Sequence, residues 1–202
     1  TTALKLMQNC FINEFFLKHI GETFSDSVLM SELKKASFSR RDMHGVDFLR
    51  ALFIVSSPFS NSPQWGRIMN DLMKELPYLS KAIVECKSFG IYENSIGKLF
   101  ISLTDGIGSV DPLGFETVCK SIDLFFASPV NSFVHNFAAS CVRVLCENRG
   151  DVGKFIKRTN LPAKIIELYS HKGKEPVHVF WGQLRIISNY IEPFVDSSKY
   201  PK

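Results

Sequence analysis

Long apolar runs are missing from this chain of 202 residues. The longest near-continuous one, Ala51-Leu52-Phe53-Ile54-Val55, falls far short of the roughly 20 residues that cross a bilayer, so no membrane insertion is expected. The N-terminus, Thr-Thr-Ala-Leu-Lys, lacks an initiator methionine and a cleavable signal pattern, which is the expectation for a fragment or short form. Cysteine is sparse: Cys10, Cys86, Cys119, Cys141 and Cys146 form an odd set with no CxxC pair. His135 lies six residues before Cys141, so zinc-ligand spacing is absent, and thiols on apolar helix faces fit a reducing cytoplasm or nucleus. Catalytic signatures are lacking too. The segment Gly106-Ile-Gly108-Ser-Val lacks the last glycine of a nucleophile elbow, and Asp111 stands where a dinucleotide fingerprint needs its third glycine. There is no phosphate loop, no HExxH and no His-Arg-Asp segment, so no enzyme, cofactor or metal is expected. A formal charge of +4 is too small for a dedicated nucleic-acid surface.

What is present is helical periodicity from end to end, rich in phenylalanine. Eighteen phenylalanines, most of them in periodic segments, are expected to fill a core between packed helices. The stretch from Gly114 to Cys146 holds two apolar patterns either side of Ser128-Pro129-Val130-Asn131. Phe115, Val118, Ile122, Phe125 and Phe126 recur at helical spacing, as do Phe133, Phe137, Cys141, Val144 and Leu145. Pro129 forces a turn between them, and Asn131 or Ser132 is placed to cap the second helix. The unit is a helical hairpin.

The same rules predict helices over 8–20, with His19 on the buried side, and then 25–35, 45–56, 63–76, 78–89 and 92–104. Pro77 marks a boundary between two of them. After the hairpin, short helices follow over 152–157 and 160–171, and a last begins at Pro176 with Phe180 or Trp181 inward and ends before Pro193. Alternating strand patterns never persist, so the fold is all-α. Ten or eleven short helices joined by turns imply a degenerate armadillo- or HEAT-like solenoid of paired antiparallel helices, a single domain over 1–196 with a flexible tail over 197–202.

His19 and His135 fall in or beside apolar faces and are expected to be hydrogen-bonded structural residues, while Glu14 with Lys18 is an exposed i,i+4 pair. Charge is uneven. From Arg149 to Lys174 there are seven cations against two carboxylates, an excess larger than that of the whole chain. The residues Lys154, Lys157, Arg158 and Lys164 are therefore a candidate patch for an acidic or phosphorylated partner.

Three segments, in order, resemble the SAPS-domain family, regulatory subunits of the type-6 serine/threonine protein phosphatase and its fungal counterpart. Leu17-Lys18-His19-Ile20-Gly21 is similar to the family's Leu-Leu-Lys-His-Ile-Gly stretch. Ile122-Asp123-Leu124-Phe125-Phe126 followed by Asn131-Ser132-Phe133-Val134-His135-Asn136 resembles its Leu-Asp-Leu-Phe-Phe and Asn-Asn-x-Leu-His steps. Asn160-Leu161-Pro162 with Ile165-Ile166-Glu167, then Trp181-Gly182-Gln183-Leu184-Arg185-Ile186, resembles a short helix before a Gly-His-Leu-containing one, with Gln183 in place of the histidine.

The resemblance implies a non-catalytic scaffold that binds a type-6-like phosphatase catalytic subunit, helps choose its phosphoprotein substrates and joins further scaffold subunits. On that basis Asn131, His135, Asn136, Trp181 and Arg185 are the candidate contact residues. An unrelated armadillo-like adaptor that grips an acidic peptide is the alternative.

Overall fold

The computed structural model describes residues 14–24, 26–57, 61–107, 112–148, 151–170 and 180–195. Among them every regular element is a helix, none is a strand, and no helix is long and apolar enough to cross a membrane. The chain divides into two compact units, one of residues 1–79 and 91–106 and the other of residues 80–90 and 107–202.

The first unit contains α1 (Glu14–Phe24), α2 (Ser27–Ser39), α3 (Met43–Ser56), α4 (Pro63–Met73), the first residues of α5 (Leu76–Val84) and nearly all of α6 (Ile91–Ile107). Its described apolar side chains are buried at helical spacing: Leu49, Leu52 and Phe53 in α3, Trp65, Ile68 and Leu72 in α4, and Ile96, Leu99, Phe100 and Leu103 in α6. Aspartates start two helices. Asp26 accepts the N–H of Val28 at 2.8 Å and Asp42 that of His44 at 3.0 Å, so each satisfies an orphan donor of a first turn.

Several boundaries differ from the sequence expectation. Helix α2 runs on to Ser39, where Arg41 adopts the left-handed region at φ 52° and the N–H of Asp42 donates to the carbonyl of Ser37 at 3.0 Å. A left-handed arginine gives no sequence signal for a helix end; Arg41 is held there by an ion pair with Glu93 and by its guanidinium lying 4.6 Å over the Tyr92 ring. The expected helix over 63–76 breaks at Lys74 and Glu75, and α5 starts again at Leu76. Pro77 is not a boundary but sits inside the first turn of α5, where its missing N–H leaves no bond unmade. His19 is exposed rather than buried, and Lys18 pairs with Glu22 at 3.9 Å. The side chains of Glu14, Phe15 and Phe16 lie outside the described residues, as do Phe11 and Ile12.

Gly45, buried in α3, is a position where helix propensity and packing oppose one another. Alanine is favoured over glycine in a helix interior by about 1 kcal/mol. A Cβ at Gly45, however, would collide with the hydroxyl of Ser37 and stand 3.2 Å from the capping carboxylate of Asp42. Ser37 cannot swing away without cost, because it is fully buried and donates to the carbonyl of Leu33 at 2.7 Å. Gly45→Ala is therefore expected to destabilise by about 1–3 kcal/mol, read as a lower denaturation midpoint. A raised midpoint would show that propensity wins.

The second unit holds the end of α5, then α7 (Pro112–Ala127), α8 (Ser132–Glu147), α9 (Val152–Thr159), α10 (Leu161–Ser170), α11 (Trp181–Ile191) and a 3-10 turn (Glu192–Phe194). The hairpin forms as expected from α7 and α8. Nine of the sixteen residues of α8 are buried, more than one amphipathic face supplies, because α8 packs against both α7 and α11. For the same reason its inward set differs from the expectation. Val134 joins the buried set and Phe133 remains 41% exposed, while His135 is buried, as expected of a structural histidine. Phe180 rather than Trp181 is the inward aromatic at the start of α11. The expected helix start at Pro176 and the tail over 197–202 lie outside the described residues.

Candidate partner-binding surface

The candidate contact residues of α8 and α11 all belong to the second unit, and the structure divides them into two kinds. Asn131 is consumed by the fold. Its Oδ1 accepts the N–H groups of Phe133 and Val134 at 3.1 and 3.3 Å, capping α8, while its Nδ2 donates to the carbonyl of Phe89 at 2.8 Å. That carbonyl belongs to a segment otherwise anchored by the stacking of Phe89 on Phe137, with ring centroids 5.1 Å apart. One amide therefore starts a helix and fastens a loop 42 residues away.

His135 is likewise internal, at 1% exposure. Its ring meets those of Phe125 and Phe180, at 4.9 and 5.1 Å, in a three-ring cluster in which the two phenylalanines also touch at 5.1 Å, and Nε2 donates to the carbonyl of Ser128 at 2.8 Å across the hairpin turn. Since a carbonyl only accepts, Nε2 carries the hydrogen. Burial lowers the affinity of this imidazole for a second proton, and the bond to Ser128 offsets only part of that effect. A histidine held neutral in the fold binds fewer protons than it does in the unfolded chain. Its contribution to stability is complete above the unfolded value of about 6.5 and is lost as pH falls below it towards the depressed folded value. The denaturation midpoint is thus expected to drop between pH 7.5 and pH 5.5, with the drop reduced in His135→Gln. An equal pH dependence in the variant would remove His135 as its source.

Asn136, Trp181 and Arg185 are the residues that reach the surface. Asn136 is exposed and accepts a hydrogen bond from Nε2 of Gln183 at 3.1 Å, a link between α8 and α11 that the sequence pattern missed. Trp181 is half-buried against Tyr169 at 4.9 Å, an aromatic pair joining α10 to α11. Arg185 is exposed, and among the described residues no hydrogen bond or ion pair engages it. Beside it Ile186 is 45% exposed, so the outer face of α11 presents a cation and an aliphatic side chain together.

The basic set is rearranged by tertiary contact. Arg158 pairs with Glu116 of α7 at 2.8 Å and Lys164 with Asp123 at 3.3 Å, while Nζ of Lys154 lies 4.9 Å over the Phe115 ring. Lys157 alone of the four is fully outward with no such contact among the described residues. Much of the charge excess along α9 and α10 is therefore spent latching those helices to α7. Lys120 of α7, lying between Glu116 and Asp123, adds a further cation beside the pairs. The spacing of Glu116, Lys120 and Asp123 along one face of α7 was the available signal for this arrangement. Burial and the Glu116 carboxylate push the nearby Cys119 thiol up to about 11, which keeps it unreactive.

No protein-family model, curated protein or solved structure matches this chain.

Proposed function

We propose that this chain is a non-catalytic scaffold that binds the catalytic subunit of a type-6-like serine/threonine protein phosphatase and directs its substrate choice, with its paired helices forming a degenerate armadillo- or HEAT-like solenoid. Under this proposal the contact is made by the outer face of α11, through Arg185 and Ile186, with Asn136 and Gln183 at its edge. The observation that carries it is the pairing of two SAPS-like segments on adjacent helices, joined by the Gln183–Asn136 bond, with an uncompensated arginine exposed beside them. Exposed arginine next to an aliphatic side chain suits an interface anchor, since it combines directional donors with apolar area. Asn131 and His135 serve by shaping α8 rather than by touching the partner.

Affinity capture with the full chain tests this. The phosphatase catalytic subunit is expected to co-purify with the unchanged chain, and Arg185→Glu is expected to lower its recovery at least ten-fold while the helical circular dichroism and melting temperature stay put. Absence of any phosphatase catalytic subunit from the captured material would overturn the proposal.

One observation favours a second reading, an adaptor for an acidic or phosphorylated peptide. Lys120, Lys154 and Lys157 have no carboxylate partner among the described residues, and exposed pairs such as Arg158–Glu116 are worth only about 0–1 kcal/mol, so an incoming anion can exchange with them. In that case Lys154→Glu with Lys157→Glu, rather than Arg185→Glu, abolishes capture of the partner.

A further inference from the structure

The first unit holds a cleft of about 310 Å³ that none of the features above uses. Phe24 at the end of α1, Ser27 and Met30 of α2, and Arg67, Ile68, Asn70, Asp71 and Lys74 of α4 line it. Its floor is apolar, with Met30 and Ile68 each 1% exposed and Phe24 packed 5.3 Å from Phe48. Its rim is polar. Asp71 is not free to repel an anion, because Lys34 holds it at 3.2 Å and Lys74 at 3.1 Å, and Lys34 also reaches Glu75 at 2.9 Å. Asp26, which precedes Ser27 in the chain and is not a lining residue, accepts the N–H of Val28. Arg67 remains as the one lining cation with no ion pair or hydrogen bond among the described residues.

We infer that this cleft takes a short segment of a partner protein in which an acidic residue adjoins a large apolar one. The apolar side chain covers Met30, Ile68 and Phe24, and the carboxylate meets the guanidinium of Arg67. A concave apolar floor with a few placed polar groups is the form that ligand sites take, and this volume lies at the small end of their range. The charge on the rim selects the anion. Of the three ionic lining side chains, Asp71 and Lys74 neutralise one another, so a single uncompensated arginine faces the ligand, matching one carboxylate. A phosphoryl group, with nearly two negative charges, is left under-neutralised there. Asn70 and Ser27, both exposed on the rim, add further hydrogen-bonding groups.

The proposal is independent of the phosphatase scaffold, since every lining residue belongs to the first unit and none to the candidate surface on α8 and α11. Its test is an amide chemical-shift titration of the full chain with the acetylated and amidated peptide Ala-Leu-Glu-Leu-Ala-Ala, with its Glu-to-Gln counterpart and with a phosphoserine counterpart. Saturable shifts are expected at Ser27, Met30 and Asn70, with affinity about three- to five-fold weaker for the glutamine peptide and for the parent peptide on Arg67→Gln. Arg67 is exposed, so this variant is expected to fold, which its unchanged spectrum away from the cleft verifies. Equal affinity on Arg67→Gln overturns the assignment, and so does tighter binding of the phosphoserine peptide. Shifts at the same residues that grow with protein concentration alone would give the cleft to a second copy of this chain, and overturn it as well.

Discussion

Phe125→Ala is expected to cost about 3–5 kcal/mol of stability. Phe125 is fully buried and sits where three aromatic contacts meet: Phe126 at 5.3 Å, His135 at 4.9 Å and Phe180 at 5.1 Å. Removing the ring takes away apolar transfer energy and leaves a cavity that the flanking rings, each held by its own helix, fill only in part. The damage reaches beyond α7. His135 loses one of its two phenylalanine neighbours and Phe180, which starts α11, loses its edge-on contact, so the α8–α11 packing that carries the candidate surface loosens with it. Chemical denaturation followed by helical signal measures the effect, with Phe125→Leu expected to fall between the two. A loss below about 1 kcal/mol would mean the cluster repacks freely and is no keystone.

Asn131→Ala is expected to cost about 2–3 kcal/mol, the sum of a lost helix cap and of a carbonyl at Phe89 left without its donor. The two contributions separate in Asn131→Asp. A carboxylate still accepts the first-turn N–H groups of α8, and its charge suits the helix N-terminus, but it cannot donate to Phe89. The aspartate variant is therefore expected to recover the capping part only and to leave the Phe89 loop unfastened, visible as faster amide exchange in residues 86–90. Full recovery by aspartate would show that the Phe89 bond contributes nothing, and no recovery that the cap does not.

These two residues show how far the sequence carried. Phe125 was legible as core from its spacing with Phe115, Val118 and Ile122, and Asn131 was legible, with Ser132, as one of two candidate caps after Pro129. The second bond of Asn131, to Phe89, was not. Periodicity placed His135 beside an apolar face as a structural residue, which its burial bears out, but it misjudged Phe133 as inward; only the family resemblance made His135 a contact candidate. Helix ends that rest on glycine or a capping side chain are written locally. The end of α2 at Arg41 is not, since a left-handed arginine is held by an ion pair to Glu93, 52 residues on.

The sequence by itself determined that the chain is helical, where most of its helices lie, and that residues 114–146 form a hairpin, because those follow from spacing, capping and proline, all of them short-range. Only the tertiary structure decided which polar side chains remain available. Arg158 and Lys164 find their carboxylates 42 and 41 residues away, and Asn131 finds its carbonyl 42 residues away. Compensation of charge and satisfaction of buried donors are properties of helices brought together, and no local pattern records them.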